Sequence, residues 1–547
     1  MKEEHIKEIE SLNIEYSKSE DTLETYSEDT SIFRIKPKIV VFPKDTEEVK
    51  KLISFASKHD DLNITPRSAG TDMSGGPLNE SIIMDMNKYF NNIISFGEKS
   101  VIVQPGMFYR DFEKETLKKN LLLPCYTASK DLNTVGGMVG NNSAGEKTLK
   151  YGKTEKFVKR LKVVLSDGNQ YEFSKITKSE LEEKMSLQSF EGEIYRSIFS
   201  IIKDNLSLLK ESKPKVSKNS AGYYIWNVYD ETDGTFDMTK LIVGSQGTLA
   251  IVTEIEFDLV VPEPDSRMLV LFLQKKNMDK LPNVVNDILK SGPESFEAYD
   301  DHTFLILLKV LPSMIKRLGG NVFSLARDFW PDIKVILKGG VPKMVLLAEF
   351  TGKGDGDITK KALEAQKEAH KHGISTHLTR NAKEVEKYWT IRRESFALLR
   401  KHVHGKKTAP FIEDIIVSPE YLPEFLPRLY EILDEYKLTY TVAGHIGSGN
   451  LHTIPLMDFK DPNFANIISD LSQKVYTLVH EYGGSITAEH NDGLIRTPFL
   501  KQMYGEEVLG LFSEVKNIFD PKNIFNPKKK VGLEFEEMTK YIKKTNT

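Results

Sequence analysis

The chain has 547 residues, with 75 Lys and Arg against 79 Asp and Glu and a formal net charge of −4. That length exceeds what one hydrophobic core usually supports, so two or more domains are expected, and the balanced charge removes the electrostatic case for nucleic acid. The lone Cys125 excludes an intramolecular disulfide and any four-cysteine cluster and points to a reducing, cytoplasmic setting, while no run approaches the roughly 18 apolar residues of a membrane span.

In chain order, Ile6, Ile9 and Leu12 predict a short amphipathic helix in a polar lead-in (1–36), followed by a loop. Ile39–Phe42 reads as a strand, Pro43–Glu48 as a helix start, and Val49, Leu52, Ile53 and Ala56 as its buried face, so the organisation turns α/β. Pro66–Gly76 is a loop of small residues whose backbone N–H groups can approach an anion. It matches neither G-x-G-x-x-G nor a P-loop, which weakens nicotinamide and P-loop readings. Ser129–Gly145 and Gly244–Thr253 repeat the texture. One such loop is structural as often as not, but three suggest a long ligand threaded through backbone.

Pro262 and Pro264 close this block and set the expected boundary between domains 37–262 and 263–490. Beyond it, 268–273 and 344–350 read as buried strands around a helix carrying Val284, Val285, Ile288 and Leu289, an α+β layer. Gly352–Gly356 is a turn and Thr359–His372 a charged helix. Arg392 and Arg393 on a helix would ordinarily be a salt-bridged face, although a guanidinium fork also reads a carboxylate. A helix over 467–482 ends at Gly483-Gly484, and 503–519 forms another within the C-terminal segment 491–547. Lys528, Lys529, Lys530, Lys540, Lys543 and Lys544 make a basic tail, read as a solvated end, with peripheral membrane contact as the lesser alternative.

The densest chemistry lies in Gly444–His452 and Ala488–Gly493. His445 and His452 bracket a turn containing Gly447 and Gly449, with β-rich residues on either side. With Glu489 they make two nitrogens and one oxygen, a set suited to a divalent transition metal (Zn, Mn or Fe) with an open position, which leaves His490 to move protons. Singly, each is a turn histidine satisfied by hydrogen bonds; jointly they favour a site.

The order Pro66–Gly76, Val103–Gly106, Asp131–Gly145, Tyr151-Gly152, Val163–Gly168 and Gly244–Thr253 resembles the FAD-binding (PCMH-type) domain of the vanillyl-alcohol oxidase family. The histidine segment and the ending Phe519–Lys528 resemble the C-terminal half of its branch of D-lactate and D-2-hydroxyglutarate dehydrogenases and glycolate oxidase flavoprotein subunits. The resemblance covers about residues 26–530. It implies an α+β chain in which a two-subdomain FAD-binding domain precedes an FAD-linked oxidase C-terminal domain. It assigns non-covalent FAD contacts to Arg67, Ser68, Ala69, Gly70, Thr71, Asp72, Ser74, Thr134, Gly137, Asn141 and Ser143, to Ile251 and Val252 along a ring edge, and to the returning Asn526, with Lys528 beside it. Ser68-Ala69-Gly70 departs from the family's three glycines. Arg392, three residues after a tryptophan, falls where the family binds a substrate carboxylate, and Ile412 replaces a polar substrate contact.

The implied activity is oxidation of a small D-2-hydroxy acid (lactate, 2-hydroxyglutarate or glycolate type) to the 2-oxo acid. His445, His452 and Glu489 would hold the metal, His490 would act as base, and hydride would pass to flavin N5. With no iron–sulfur motif in the chain, reoxidation calls for a quinone, an electron-transfer flavoprotein or a partner subunit, and a homodimer stays open. The competing readings are an alkylglycerone-phosphate-synthase-like or oxidase activity on the same fold, a non-catalytic flavin-binding subunit, and a colourless metallo-hydrolase.

Overall fold

The computed structural model describes residues 3–301, 340–402 and 406–543, so Lys544 lies outside the described residues. The first layer is a four-stranded sheet in the order Glu15–Ser17, Ile39–Phe42, Ile82–Asp85, Ile64–Arg67, whose last three strands run parallel. Parallel strands need a crossover, and the Thr46–Ala56 helix supplies one. Asp45 caps that helix by accepting the Glu48 N–H, and Val49, Leu52 and Ile53 are buried with Ile39, Val41 and Ile64. The lead-in is more ordered than its polar sequence suggested. In place of a loop it holds the Glu15–Ser17 edge strand and a Glu20–Tyr26 helix capped by Ser19.

A six-stranded antiparallel sheet follows, ordered Ile93–Phe96, Ser100–Val103, Ile251–Asp258, Val158–Val164, Gln170–Ile176, Phe236–Asp237. The glycine-rich Val135–Asn141 segment forms a short helix because Thr134 caps it and Asn142 ends it in the left-handed region (φ 52°).

The third layer is a sheet of eight strands among the described residues, and its Asp265–Leu273 strand explains the unbroken apolar run in the sequence. Met268, Val270 and Phe272 pack on one face with Val385, Tyr388 and Trp389 of the Ala382–His402 helix, while Leu269, Leu271 and Leu273 enter the main core on the other. A strand buried on both faces has no polar positions to alternate. The same packing fixes Trp389 and therefore the face of the helix one turn later, where Arg392 sits.

The C-terminal segment returns to the first layer. Asn526 is fully buried; it accepts from the Thr65 hydroxyl (2.8 Å) and donates to the carbonyls of Gly76 (3.0 Å) and Gln246 (2.7 Å). The solvated-tail reading fails for Lys529 and Lys530. Both are buried, with Lys529 donating to the Leu78 carbonyl and Lys530 to those of Ser220 and Gly222 while it pairs with Asp492 at 2.9 Å. Carbonyls inside the fold need donors, and these two ammoniums supply them. No helix among the described residues is long and apolar enough to cross a membrane.

Candidate active site

The small-residue loops and the histidine segment open onto one cavity of about 640 Å³. Of the expected cofactor residues, Arg67, Ser68, Gly70, Thr71, Asp72, Gly137, Asn141, Ser143 and Val252 line it. Ala69, Ser74, Thr134, Ile251 and Asn526 do not. Ser74 donates to Asp72, Thr134 caps the Val135–Asn141 helix, Ile251 is fully buried in the apolar core, and Asn526 ties three segments together behind the wall. Lys528 also lies off the wall, donating to the Tyr541 hydroxyl. The Arg67 guanidinium is committed to the carbonyls of Tyr26 (2.9 Å) and Glu28 (2.7 Å).

The Thr439–His445 and Asn450–Met457 strands are joined by a tight turn that requires Gly449 (φ 76°), where a Cβ would stand 1.8 Å from the Val417 carbonyl oxygen. Antiparallel register pairs Ala443 with His452, and the turn sets His445 beside them. The Glu489-His490 segment is brought over by Asp414, whose Oδ2 accepts from the Thr487 hydroxyl (2.6 Å) and from the backbone N–H groups of Glu489 (2.8 Å) and His490 (2.7 Å).

All three imidazoles have the same arrangement. His445 Nδ1 donates to Glu297 Oε1 (2.6 Å), His452 Nδ1 to the Glu413 carbonyl (2.9 Å) and His490 Nδ1 to Glu413 Oε1 (3.2 Å). An acceptor on Nδ1 fixes the tautomer and turns Nε2 to the work. The three Nε2 atoms lie 3.1, 3.5 and 3.7 Å from a single oxygen, Glu489 Oε1. The rings of His452 and His490 are stacked, with centroids 5.1 Å apart. Glu297 also pairs its second oxygen with Arg392 Nε (3.3 Å), so one buried carboxylate aligns Arg392 with His445. Arg393 is held by Glu146, at 2.5 Å and 3.3 Å.

Burial disfavours charge throughout this cluster, yet partners override it in three places. Against burial, Lys218 and then His445 hold the Glu489 carboxyl well below the usual range. Against burial, Glu297 and Glu489 raise His445. Burial likewise opposes the His490 proton, but Asp414 and Glu413 push that imidazole up to about 9. His452 goes the other way, lowered chiefly by burial.

Sequence reasoning missed Lys218, Glu297, Glu413, Asp414 and Arg496. Lys218 is buried between Asn450 Oδ1 and Glu489 Oε2, 3.1 Å from each. Arg496 is fully buried and donates to Glu413, backing the acceptor of His490. None sits in a pattern that local spacing reveals, although Glu413-Asp414 directly follows the Ile412 position singled out from the sequence.

The residues fit both expected groups. Gly140 lines the cavity with nothing within 4 Å of where a Cβ would stand, so the wall is open backbone of the kind a flavin dinucleotide needs. For a metal, the donor chemistry fits: Asp414, His452, Glu489 and His490 each offer an atom within 4.8 Å of the others. His445 enters through Glu489 Oε1. Asp414 Oδ2 already accepts three hydrogen bonds, and the expected ligand His445 stands outside that group while His490 is within it.

Comparison with known proteins agrees with this layout. Residues 37–174 match the model of the FAD binding domain, and 264–530 match that of FAD linked oxidases, C-terminal domain. The chain is 28% identical over 527 residues to D-2-hydroxyglutarate dehydrogenase of Escherichia coli, covering 92% of this chain and 49% of that protein. It is 26% identical to glycolate oxidase subunit GlcD of Bacillus subtilis, covering 92% and 91% of the two chains. The chain thus spans about half the length of the first relative and nearly all of the second. A solved alkyldihydroxyacetonephosphate synthase shares the fold, with a TM-score of 0.66 at 16% identity over 97% of this chain and 86% of that one. An FAD binding domain followed by an FAD-linked oxidase C-terminal domain places the chain in the FAD-linked oxidase family.

Proposed function

We propose that the protein oxidises a small D-2-hydroxy acid to the corresponding 2-oxo acid with FAD as electron acceptor and a divalent metal held by His445, His452 and Glu489. The observation that carries this reading is the single cavity reaching from the small-residue loops to Arg392 and three imidazoles with aligned Nε2 atoms. The names of the relatives, which act on 2-hydroxy acids or glycolate, support the same substrate class. The domain division at 262 and the return of 491–547 to the flavin belong to this proposal.

Arg392, braced by Glu297, binds the substrate carboxylate through its guanidinium fork. His490, oriented by Glu413, presents Nε2 to take the hydroxyl proton. When bound, FAD supplies the hydride-accepting N5 and the metal supplies Lewis acidity toward the substrate oxygens. In the metal-free protein His490 is protonated at neutral pH, so its service as a base depends on positive charge nearby displacing that proton.

Anaerobic titration of the flavin spectrum with D- and L-2-hydroxy acids tests the reading; bleaching by D acids alone is expected. His490→Asn should retain the yellow cofactor but lose reduction by about 100-fold or more, the scale of a lost general base. Full-rate reduction in that variant would refute the role. The external acceptor, whether quinone, electron-transfer flavoprotein or partner subunit, follows from the same proposal. Fast direct reaction of the reduced flavin with oxygen would instead favour an oxidase.

A further inference from the structure

The segment that carries Glu489 and His490 rests on the same small-residue loops that face the cofactor cavity. Asn491 follows His490 in the left-handed region (φ 72°) and donates through Nδ2 to the carbonyls of Asn141 (3.1 Å) and Gly244 (2.9 Å). Two residues on, Gly493 (φ 49°) passes so close to the first loop that a Cβ would stand 2.3 Å from the Ser74 carbonyl oxygen. That oxygen accepts the N–H groups of Leu494 (2.8 Å) and Ile495 (3.2 Å). The N–H of Gly493 itself goes to Gln246 Oε1 at 2.8 Å.

Gln246 gathers these contacts. It belongs to the third loop, lines the cavity and is itself left-handed (φ 53°), a conformation that costs a residue with a Cβ and is kept by what surrounds it. Its Nε2 donates to Ser74 Oγ (3.3 Å) of the first loop and to Asn141 Oδ1 (3.4 Å) of the second. Its backbone N–H donates to the Gly140 carbonyl (2.9 Å), and its own carbonyl accepts from Asn526 (2.7 Å). One side chain thus meets both other loops and the turn after His490. Loops with one face toward a cavity open at low free energy, and a ligand that fills the cavity opposes that opening. We propose that Gln246, with Asn491, is a positioning residue that makes metal binding depend on FAD. Ordering the loops around FAD fixes the partners of residues 491–495, and with them the donor atoms of Glu489 and His490. A first ligand that orders shared structure lowers the entropy cost of a second, and linkage requires the effect to be mutual. The inference rests on the reading above that FAD fills this cavity and that Glu489 holds a metal with His445 and His452.

The test measures Zn²⁺ affinity by calorimetry against a competing chelator, in the full chain with FAD and after FAD removal, alongside FAD affinity with and without Zn²⁺. FAD should tighten Zn²⁺ binding by about 10-fold, and Zn²⁺ should tighten FAD binding by the same factor. Gln246→Leu keeps the backbone contacts of residue 246 and loses those of its amide, so in that variant the factor should fall toward unity. A purely structural role would weaken each affinity and leave the factor unchanged. Equal Zn²⁺ affinity with and without FAD in the unmodified protein, or the full factor in the variant, overturns the inference and leaves the proposed oxidation intact. Should Zn²⁺ bind in neither state, the metal reading fails. In that case, or if the variant does not fold or bind FAD, hydrogen exchange in the unmodified protein decides the inference. FAD slowing exchange of the 491–495 amides by on the order of 10-fold more than those of the Asp265–Leu273 strand upholds it, and no slowing or the same slowing in both overturns it.

Discussion

Replacing Lys218 with Met removes a buried cation while keeping the length of its side chain. The Lys218 side chain is 1% exposed and its ammonium lies 3.1 Å from Glu489 Oε2; the Glu489 side chain is 6% exposed. At that separation and an effective dielectric near 20 the attraction is about 5 kcal/mol, part of which offsets the burial of both charges. What the variant loses is set by the carboxylate left behind, and deleting one partner of such a pair costs about 3–5 kcal/mol. Asn450 Oδ1 loses a donor at the same time. The assay is urea unfolding of both proteins, once in chelator and once in saturating divalent metal. In chelator the variant should lose the full amount. With metal the loss should shrink by about 2 kcal/mol or more, because an ion bound to the native state supplies the missing positive charge and so binds the variant more tightly than the unmodified protein. A loss below about 1 kcal/mol in chelator would refute the buried-pair argument. An equal loss in both conditions would refute Glu489 as a metal ligand.

Gly140→Ala separates fold from cofactor. Gly140 lies inside the Val135–Asn141 helix with open space where a Cβ would go, so apo stability should hold or rise by about 0.5–1 kcal/mol while FAD retention on gel filtration falls. Asn526→Ala removes two donors from buried carbonyls and the acceptor of the Thr65 hydroxyl, at a cost of about 2–4 kcal/mol, with lower FAD occupancy following from the loosened loops; unchanged thermal unfolding would contradict it. Metal binding should expel protons, because carboxylates raise both His445 and His490 in the metal-free protein. Calorimetry in buffers of different ionisation enthalpy should count that release, and apparent affinity should climb with pH to about 9. The sign for apo stability is opposite: the His490 contribution is complete below about pH 6.5, its unfolded value, and is lost as pH rises through about 9.

The fold and the donors of this site were legible to different depths because different ranges of interaction encode them. The run 268–273 declared a strand without alternation, since both of its faces meet apolar neighbours. The small-residue loops and the bracketing histidines were legible because close backbone approach and tight turns demand particular residues at particular places, as Gly449 does against the Val417 carbonyl. The polar lead-in hid a strand and a helix because edge strands and capped surface helices need little apolar pattern. The tail lysines misled because a lysine that satisfies buried carbonyls looks, in sequence, like one in solvent.

The acceptors that make the histidines usable lie far from them in sequence. Glu297 is 148 residues from His445, Glu413 is 77 from His490, and Lys218 is 271 from Glu489. No local period links such positions, yet they decide which nitrogen of each ring faces the cavity and how much charge the cluster holds. The motif Gly444–His452 with Glu489-His490 therefore specifies ligand types, and the surrounding carboxylates and lysine specify their protonation. A chain carrying the same two segments without Glu297, Glu413 and Lys218 would present the same donors with the tautomers of His445 and His490 unfixed, while the main-chain carbonyl of residue 413 would still hold that of His452. Loss of a hydrogen-bond partner behind a ligating side chain typically costs about 10–100-fold in metal affinity or activity.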